Sequence, residues 1–321
     1  MRLTHLLLCC AAALSLPSLA FDLQGHRGAR GLAPENTLPA FERALEIGVD
    51  TLELDIGMTA DGVVVIAHDS YLNPAIARDA AGQWLPGPKG PLLKSLTLAQ
   101  LQTYDVGRIN PDTPYARTFN LQQPRDGTRI PTLAALFERV KALRADKVRF
   151  NIETKINPIQ PDETAVPEVM TGALLKVIRD AGMTRRVAIQ SFDWRTLRLV
   201  QQLEPAIPTV YLTIQTANSD NLRGGEWTAG LKFADFGSAP KMAKAGGGAV
   251  WSPNGGAVTE ALVKEAHSLG LRVIPWTINN PEDMERLIGW GVDGLITDYP
   301  DRLRTVMQAR GLPLPAPAGR N

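Results

Sequence analysis

Histidine is scarce in this chain, and where it occurs is informative. His26 directly follows one strand-like run, His68 ends another, and His267 lies in a helical pattern just before Gly270. An imidazole at a strand end can exchange protons near neutral pH, whereas one at the end of a helix can simply offset the helix dipole, which is the reading that fits His267. Glu53 and Asp55 are two residues apart in Thr51-Leu52-Glu53-Leu54-Asp55-Ile56, so on a strand both project from one face while Leu52, Leu54 and Ile56 pack from the other. The same spacing in Asn151-Ile152-Glu153-Thr154-Lys155 sends out Glu153 and Lys155 together. Carboxylates crowded on a buried face repel and lose hydration, which is costly unless a cation compensates. Glu53, Asp55 and Glu153 form an all-oxygen set that selects a hard ion, Mg²⁺ or Ca²⁺, over zinc or copper. Taken alone, these residues fit equally well a set of internal ion pairs, Glu153 with Lys155 or Glu53 with Arg27. Three inward acids joined by two histidines, an arginine and a lysine at strand ends suit a phosphate-bearing substrate, whose oxygens need cations and whose ester exchange needs protons moved.

Positioning such a set takes a scaffold whose strand ends converge. Strand-length apolar runs recur at Phe21 to Gly25, Asp50 to Ile56, Val148 to Thr154, Arg186 to Ser191, Pro208 to Thr213, Gly248 to Ser252, Leu271 to Thr277 and Gly294 to Thr297. Helical patterns fall between most of them, at Thr37 to Ile47, Thr132 to Leu143, Glu168 to Ala181, Trp194 to Leu203, Glu260 to Leu269, Pro281 to Trp290 and from Asp301. Eight such units predict an α/β fold, a (β/α)8 TIM barrel closed as one domain over residues 21–310. The exception runs from about 70 to 130, where a short strand at Val63 to Ala67 leads into a Pro- and Gly-rich stretch and a short helix at Leu98 to Tyr104. This reads as an insertion over the second strand-to-helix loop, on the face where barrels carry their sites. The Pro/Ala/Gly tail, 311–321, has the composition of a flexible segment that does not pack.

Met1 to Ala20 reads as a signal peptide: a basic start at Arg2, an apolar run from Leu6 to Leu14 and a small-residue exit at Ser18-Leu19-Ala20. The apolar run is too short for a membrane span, and no stop-transfer pattern follows. Cleavage there predicts a periplasmic or secreted protein. Of the 321 residues, 301 then remain, with 33 basic and 33 acidic side chains and no cysteine. A disulfide framework is thereby excluded, and so is the basic stripe a nucleic-acid binder needs.

Gly25-His26-Arg27-Gly28, Pro34-Glu35-Asn36-Thr37, Glu53-x-Asp55-Ile56, Thr59-x-Asp61-Gly62 and His68-Asp69 together closely resemble the glycerophosphodiester phosphodiesterase family, which shares its barrel with phosphatidylinositol-specific phospholipase C. The likeness resumes at Asn151 to Lys155, with weaker echoes at Gln190-Ser191-Phe192, Trp276-Thr277 and Thr297-Asp298-Tyr299-Pro300. It implies one divalent cation, Ca²⁺ or Mg²⁺, on Glu53, Asp55 and Glu153, and His26 and His68 as the general acid/base pair. Arg27 and Lys155 would contact the phosphate, Glu35 would support the substrate site, and Trp276 would line the pocket. Asn36 and Thr37 read independently as a helix cap. After His68-Asp69 the chain departs from the family pattern, with Leu72-Asn73-Pro74 in place of an Arg-Thr pair.

The implied substrate is a small glycerophosphodiester, cleaved to sn-glycerol 3-phosphate and an alcohol. The alternatives are a lysophospholipase D-type enzyme of the same fold, for which Trp84 and Leu85 offer an apolar hint, a barrel glycosidase, or a binding protein without catalysis. A glycosidase needs no histidine pair. The sequence leaves headgroup preference and oligomeric state open.

Overall fold

The computed structural model describes residues 21–318. The expected leader lies outside the described residues. Eight parallel strands form the barrel: β1 (Asp22–Gly25), β2 (Thr51–Met58), β4 (Arg149–Thr154), β5 (Val187–Ser191), β6 (Thr209–Thr213), β7 (Val250–Pro253), β8 (Arg272–Val273) and β9 (Gly294–Thr297). A ninth, β3 (Val64–Ile66), pairs antiparallel with the end of β2. Around the sheet run α1 (Leu38–Ile47), α4 (Leu133–Ala142), α5 (Pro167–Asp180), α6 (Trp194–Leu203), α8 (Ala239–Ala245), α9 (Glu260–Ser268), α10 (Pro281–Gly289) and α11 (Pro300–Ala309). Three shorter helices, α2 (Leu98–Leu101), α3 (Pro114–Thr118) and α7 (Phe233–Phe236), sit in the connections.

Strand order runs β8-β7-β6-β5-β4-β2-β1-β9, and the last seam is irregular. Pro275 has no N–H to give to a ladder, so the strand expected over Leu271 to Thr277 keeps regular pairing only at β8. The seam is held by Asp293 N–H to Val273 O at 2.8 Å, Ile296 N–H to Pro275 O at 3.0 Å and Ile278 N–H to Ile296 O at 2.9 Å.

Period-two alternation decides what fills the barrel. Leu52, Leu54, Ile56, Phe150 and Ile152 face outward into the main core beneath the helices. One part of the interior is an apolar plug of Val210, Val250, Ile274 and Ile296. The other is polar, because the register sets Glu53 beside Asn151 and Asp55 beside Glu153. Helix α1 shows the complementary helical logic. Thr37 accepts the Ala40 N–H as its N-cap, and Ala40, Phe41, Ala44 and Leu45 form the buried stripe.

The insertion after β3 is less loose than its composition suggests. Val65, Leu72, Ala77, Leu93, Leu101, Val106 and Ile130 form a small core of their own. Trp84 lies against the Arg78 guanidinium and Leu85 packs on that core, so neither forms an apolar rim. The tail also departs from expectation: Pro315 O accepts from Arg304 Nη1 at 2.6 Å and Ala318 N–H donates to Leu45 O at 2.9 Å. Prolines that rule out regular structure do not prevent docking. Among the described residues no helix is long and apolar enough to cross a membrane.

Candidate active site

The site forms at the carboxyl ends of the strands. The chain turns sharply after β1: Arg27 has φ 51° and Gly28 φ 87°, and a Cβ on Gly28 would lie 2.6 Å from the Ala40 carbonyl carbon. A side chain there is excluded by both conformation and space. The turn aims His26 and Arg27 into the barrel mouth and donates the Arg27 N–H to Glu53 Oε2 at 2.9 Å. Asn36 also adopts a left-handed conformation, φ 54°, and its side-chain amide donates to Asp55 Oδ2 at 2.9 Å. The capping expectation therefore holds for Thr37 and fails for Asn36, whose side chain reaches across to β2 instead.

Glu53, Asp55 and Glu153 converge as their spacing predicted, offering one oxygen each within 4.8 Å of one another. Gln190 Nε2 donates to Glu53 Oε1 at 2.6 Å. Lys155 Nζ lies 2.7 Å from Glu153 Oε1 and 3.1 Å from Asp55 Oδ1, and Arg27 Nε lies 3.1 Å from Asp55 Oδ2. Burial, reinforced by Asp55, pushes the Glu53 carboxyl well above its ordinary range, and burial raises that of Glu153 to about 7. Asp55 is buried too, yet Lys155 and Arg27 outweigh that and hold it well below. Both readings of the sequence are thus partly realised: the ion pairs form and compensate Asp55, and they leave Glu53 and Glu153 under-compensated. Asp55 Oδ1 is buried with the Lys155 ammonium beside it but no aligned hydrogen bond. Five buried carboxylates here (Glu35, Glu53, Asp55, Glu153, Asp298) face only three cations (Arg27, Arg30, Lys155), a shortfall that one divalent cation makes up. The residues present fit such an ion.

The two histidines line one cavity of about 180 Å³ together with Arg27, Glu53, Glu153, Lys155, Phe192 and Trp276. His26 Nδ1 is 2.6 Å from Asp298 Oδ1, and His68 Nδ1 is 2.9 Å from Asp69 Oδ1. Each imidazole is thereby oriented by a carboxylate, which leaves Nε2 for the cavity. Asp298 is itself fixed by Arg30 Nε at 2.7 Å, Arg30 Nη2 at 3.1 Å and Asn279 Nδ2 at 2.7 Å. Burial, then Arg30, lowers the His26 imidazole to about 4 against the pull of Asp298. Burial, then Arg27 and Lys155, lowers that of His68.

Glu35 does not line this cavity. Its oxygens are taken by Arg27 Nη1, at 2.6 Å, and by the Tyr115 hydroxyl, so it holds the arginine and does not face a ligand. Tyr115 and Phe119 come from the insertion, at and just beyond α3, and Phe119 lies beneath Arg30, 4.5 Å from ring centre to guanidinium. Trp276 forms a wall edge-to-face with Phe192 at 5.4 Å and donates its indole N–H to Ser252 O at 2.9 Å. Sequence reasoning missed Asp69, Asp298, Arg30, Asn279 and Tyr115 as site residues. Of these Asp69 and Asp298 had usable signals, the His68-Asp69 pair and the Thr-Asp-Tyr-Pro at the end of the last strand.

Comparison with known proteins agrees with this geometry. The model of the glycerophosphoryl diester phosphodiesterase family matches residues 26–302. A glycerophosphodiester phosphodiesterase of Bacillus subtilis is 30% identical over 88% of this chain and 84% of its own. One from Caldanaerobacter subterraneus is 29% identical over 89% of this chain and 97% of its own. Among solved structures, a protein of the same family from Silicibacter pomeroyi superposes with TM-score 0.82 at 36% identity, covering 92% of this chain and 96% of that one. An Oleispira antarctica phosphodiesterase in complex with the product sn-glycerol-3-phosphate shares the fold, with TM-score 0.65 at 21% identity over 91% of this chain and 98% of that one. With two oriented histidines facing an acidic triad inside a (β/α)8 barrel, and a family match spanning that whole framework, this chain belongs to the glycerophosphoryl diester phosphodiesterase family.

Proposed function

We propose that the chain hydrolyses deacylated phospholipids to sn-glycerol 3-phosphate and an alcohol by a two-step, histidine-mediated route. The observation that carries this reading is the pair of carboxylate-oriented imidazoles facing one cavity that also holds the acidic triad. A divalent ion on Glu53, Asp55 and Glu153 would neutralise phosphate oxygens as charge develops on them. Arg27 and Lys155 line the same cavity and bind the remaining phosphate charge, with Arg27 kept in place by Glu35.

His26 accepts the proton of the glycerol 2-hydroxyl at Nε2, because the buried Asp298 carboxylate on its Nδ1 stabilises the imidazolium that forms. The 2-oxygen attacks phosphorus, the bond to the leaving alcohol breaks, and His68, entering the step as the imidazolium with Nδ1 on Asp69, donates from Nε2 the proton that alcohol needs. His68 takes this role because it also lines a larger outer cleft that can receive the alcohol. Water then opens the cyclic phosphate with the two roles reversed. Supporting a deacylated substrate over a lysophospholipid, the inner cavity is small and walled by Phe192, Leu212, Trp276 and Ile296. Export through the N-terminal leader remains part of this reading.

A diester whose glycerol 2-hydroxyl is replaced by hydrogen tests the route. It should bind and resist cleavage; hydrolysis at a rate comparable to the natural diester would make water the direct attacker.

A further inference from the structure

We infer that the outer cleft is a subsite for the leaving alcohol that selects neutral polyhydroxylated groups over quaternary ammonium groups, and that Lys89 sets the preference. This rests on the glycerophosphodiester reading. The cleft, about 540 Å³, meets the catalytic cavity at His68, Glu153, Lys155 and Phe192. The glycerol phosphate common to all substrates belongs in the small inner cavity, so the part that varies lies in the cleft.

Its walls carry Tyr71, Phe192 and Trp227, ring faces that in principle suit either the C–H face of a cyclic polyol or a cation. The charges decide between these. Lys89 Nζ lies 4.9 Å from the centre of the Tyr71 ring and is paired with Glu163, so the protein's own ammonium occupies the place a substrate cation would take. Glu163 also accepts from Ser70 Oγ at 3.0 Å. The other two carboxylates facing the cleft are also committed: Asp69 to His68 at 2.9 Å and Asn73 at 2.8 Å, and Glu153 to Lys155 at 2.7 Å. A quaternary ammonium would find no free anion, no free cation-binding face on Tyr71 and a like charge. Hydroxyl groups would instead find the remaining N–H donors of Lys89 and the phenol of Tyr71.

The test is the ratio of kcat/KM for glycerophosphoinositol to that for glycerophosphocholine. In the unaltered enzyme it should be about tenfold in favour of inositol, the scale of a partly solvent-screened like-charge contact. Raising salt from low to high ionic strength should shrink the ratio, a check that needs no variant. Lys89→Gln should reduce the ratio about tenfold by freeing Glu163 and the Tyr71 face, and Lys89→Arg should preserve it, since the charge is retained. A ratio at or below one in the unaltered enzyme, or one indifferent to salt and to Lys89→Gln, would overturn the inference while leaving the enzyme's activity on diesters intact. Failure to release sn-glycerol 3-phosphate from either diester would overturn the functional reading, and this inference with it.

Discussion

Replacing Asp298 by asparagine keeps the shape of the site and removes one buried charge. That carboxylate accepts from His26 Nδ1 at 2.6 Å and from Arg30 and Asn279, and it is almost fully buried. In the proposed route it would stabilise the imidazolium formed when His26 takes the 2-hydroxyl proton, and would fix the tautomer that presents Nε2 as acceptor. With charge centres about 4 Å apart and an effective dielectric of about 20, the lost interaction amounts to about 4 kcal/mol. If it acts only in the transition state, that corresponds to about a 10³-fold fall in kcat. KM should change little, because Arg27, Lys155 and the acidic triad are untouched. The pH profile carries a second sign. Asp298 raises the proton affinity of His26 against burial and Arg30, so its loss lowers that affinity further, and the acid limb of kcat/KM should move to lower pH while the plateau falls. Release of sn-glycerol 3-phosphate, followed by a coupled assay across pH at saturating divalent ion, reads both. A kcat within about tenfold of the parent, or an acid limb displaced upward, would show that Asp298 does not act through His26.

Three further substitutions have expected outcomes. Glu53→Gln should weaken divalent-ion binding in calorimetry by about 100-fold or more, since losing even a supporting hydrogen bond to a ligand costs roughly 10- to 100-fold. Because Glu53 is pushed well above its usual range, ionising it near pH 7 destabilises the ion-free protein; Glu53→Gln should raise the ion-free Tm there, and the gain should vanish towards pH 5 as the parent residue takes up its proton. Tyr115→Phe leaves one Glu35 oxygen without its partner and loosens Arg27, so KM should rise about five- to tenfold with kcat within about threefold; a fall in Tm at unchanged KM would mean that Tyr115 only holds the insertion in place. Gly28→Ala should cost about 3 kcal/mol or more, read as a Tm drop of about 5 °C or more, because the left-handed turn and the Ala40 backbone both exclude a Cβ.

Much of the site was legible in the sequence because strand geometry converts spacing into direction. Glu53 and Asp55 had to share a face, and the parallel register then placed Asp55 beside Glu153. His26 and His68 stood out because the chain has only four histidines. Asp298 was harder to see, since it lies 272 positions from His26 and joins it only when β9 pairs with β1 to close the barrel. Asn36 was misread because its residue type is as good at a cap as in a left-handed turn, and only the neighbouring Asp55 decides between them. Tyr115 lies in a Pro- and Gly-rich insertion with no periodicity to orient it, and α8 was overlooked between glycine-rich turns. The predicted strand over Leu271 to Thr277 failed locally at Pro275, where the missing N–H breaks the ladder while leaving the chain extended.

Cleavage of glycerophosphodiesters by this barrel is proposed to need an ion held by Glu53, Asp55 and Glu153. Its most direct test is the release of sn-glycerol 3-phosphate by purified protein after exhaustive chelation, then on titrating back Ca²⁺ or Mg²⁺. The stripped protein should release none, and recovery with one of these ions should saturate at one equivalent bound. Full activity in the chelator, or no release from any glycerophosphodiester with either ion restored, would contradict it.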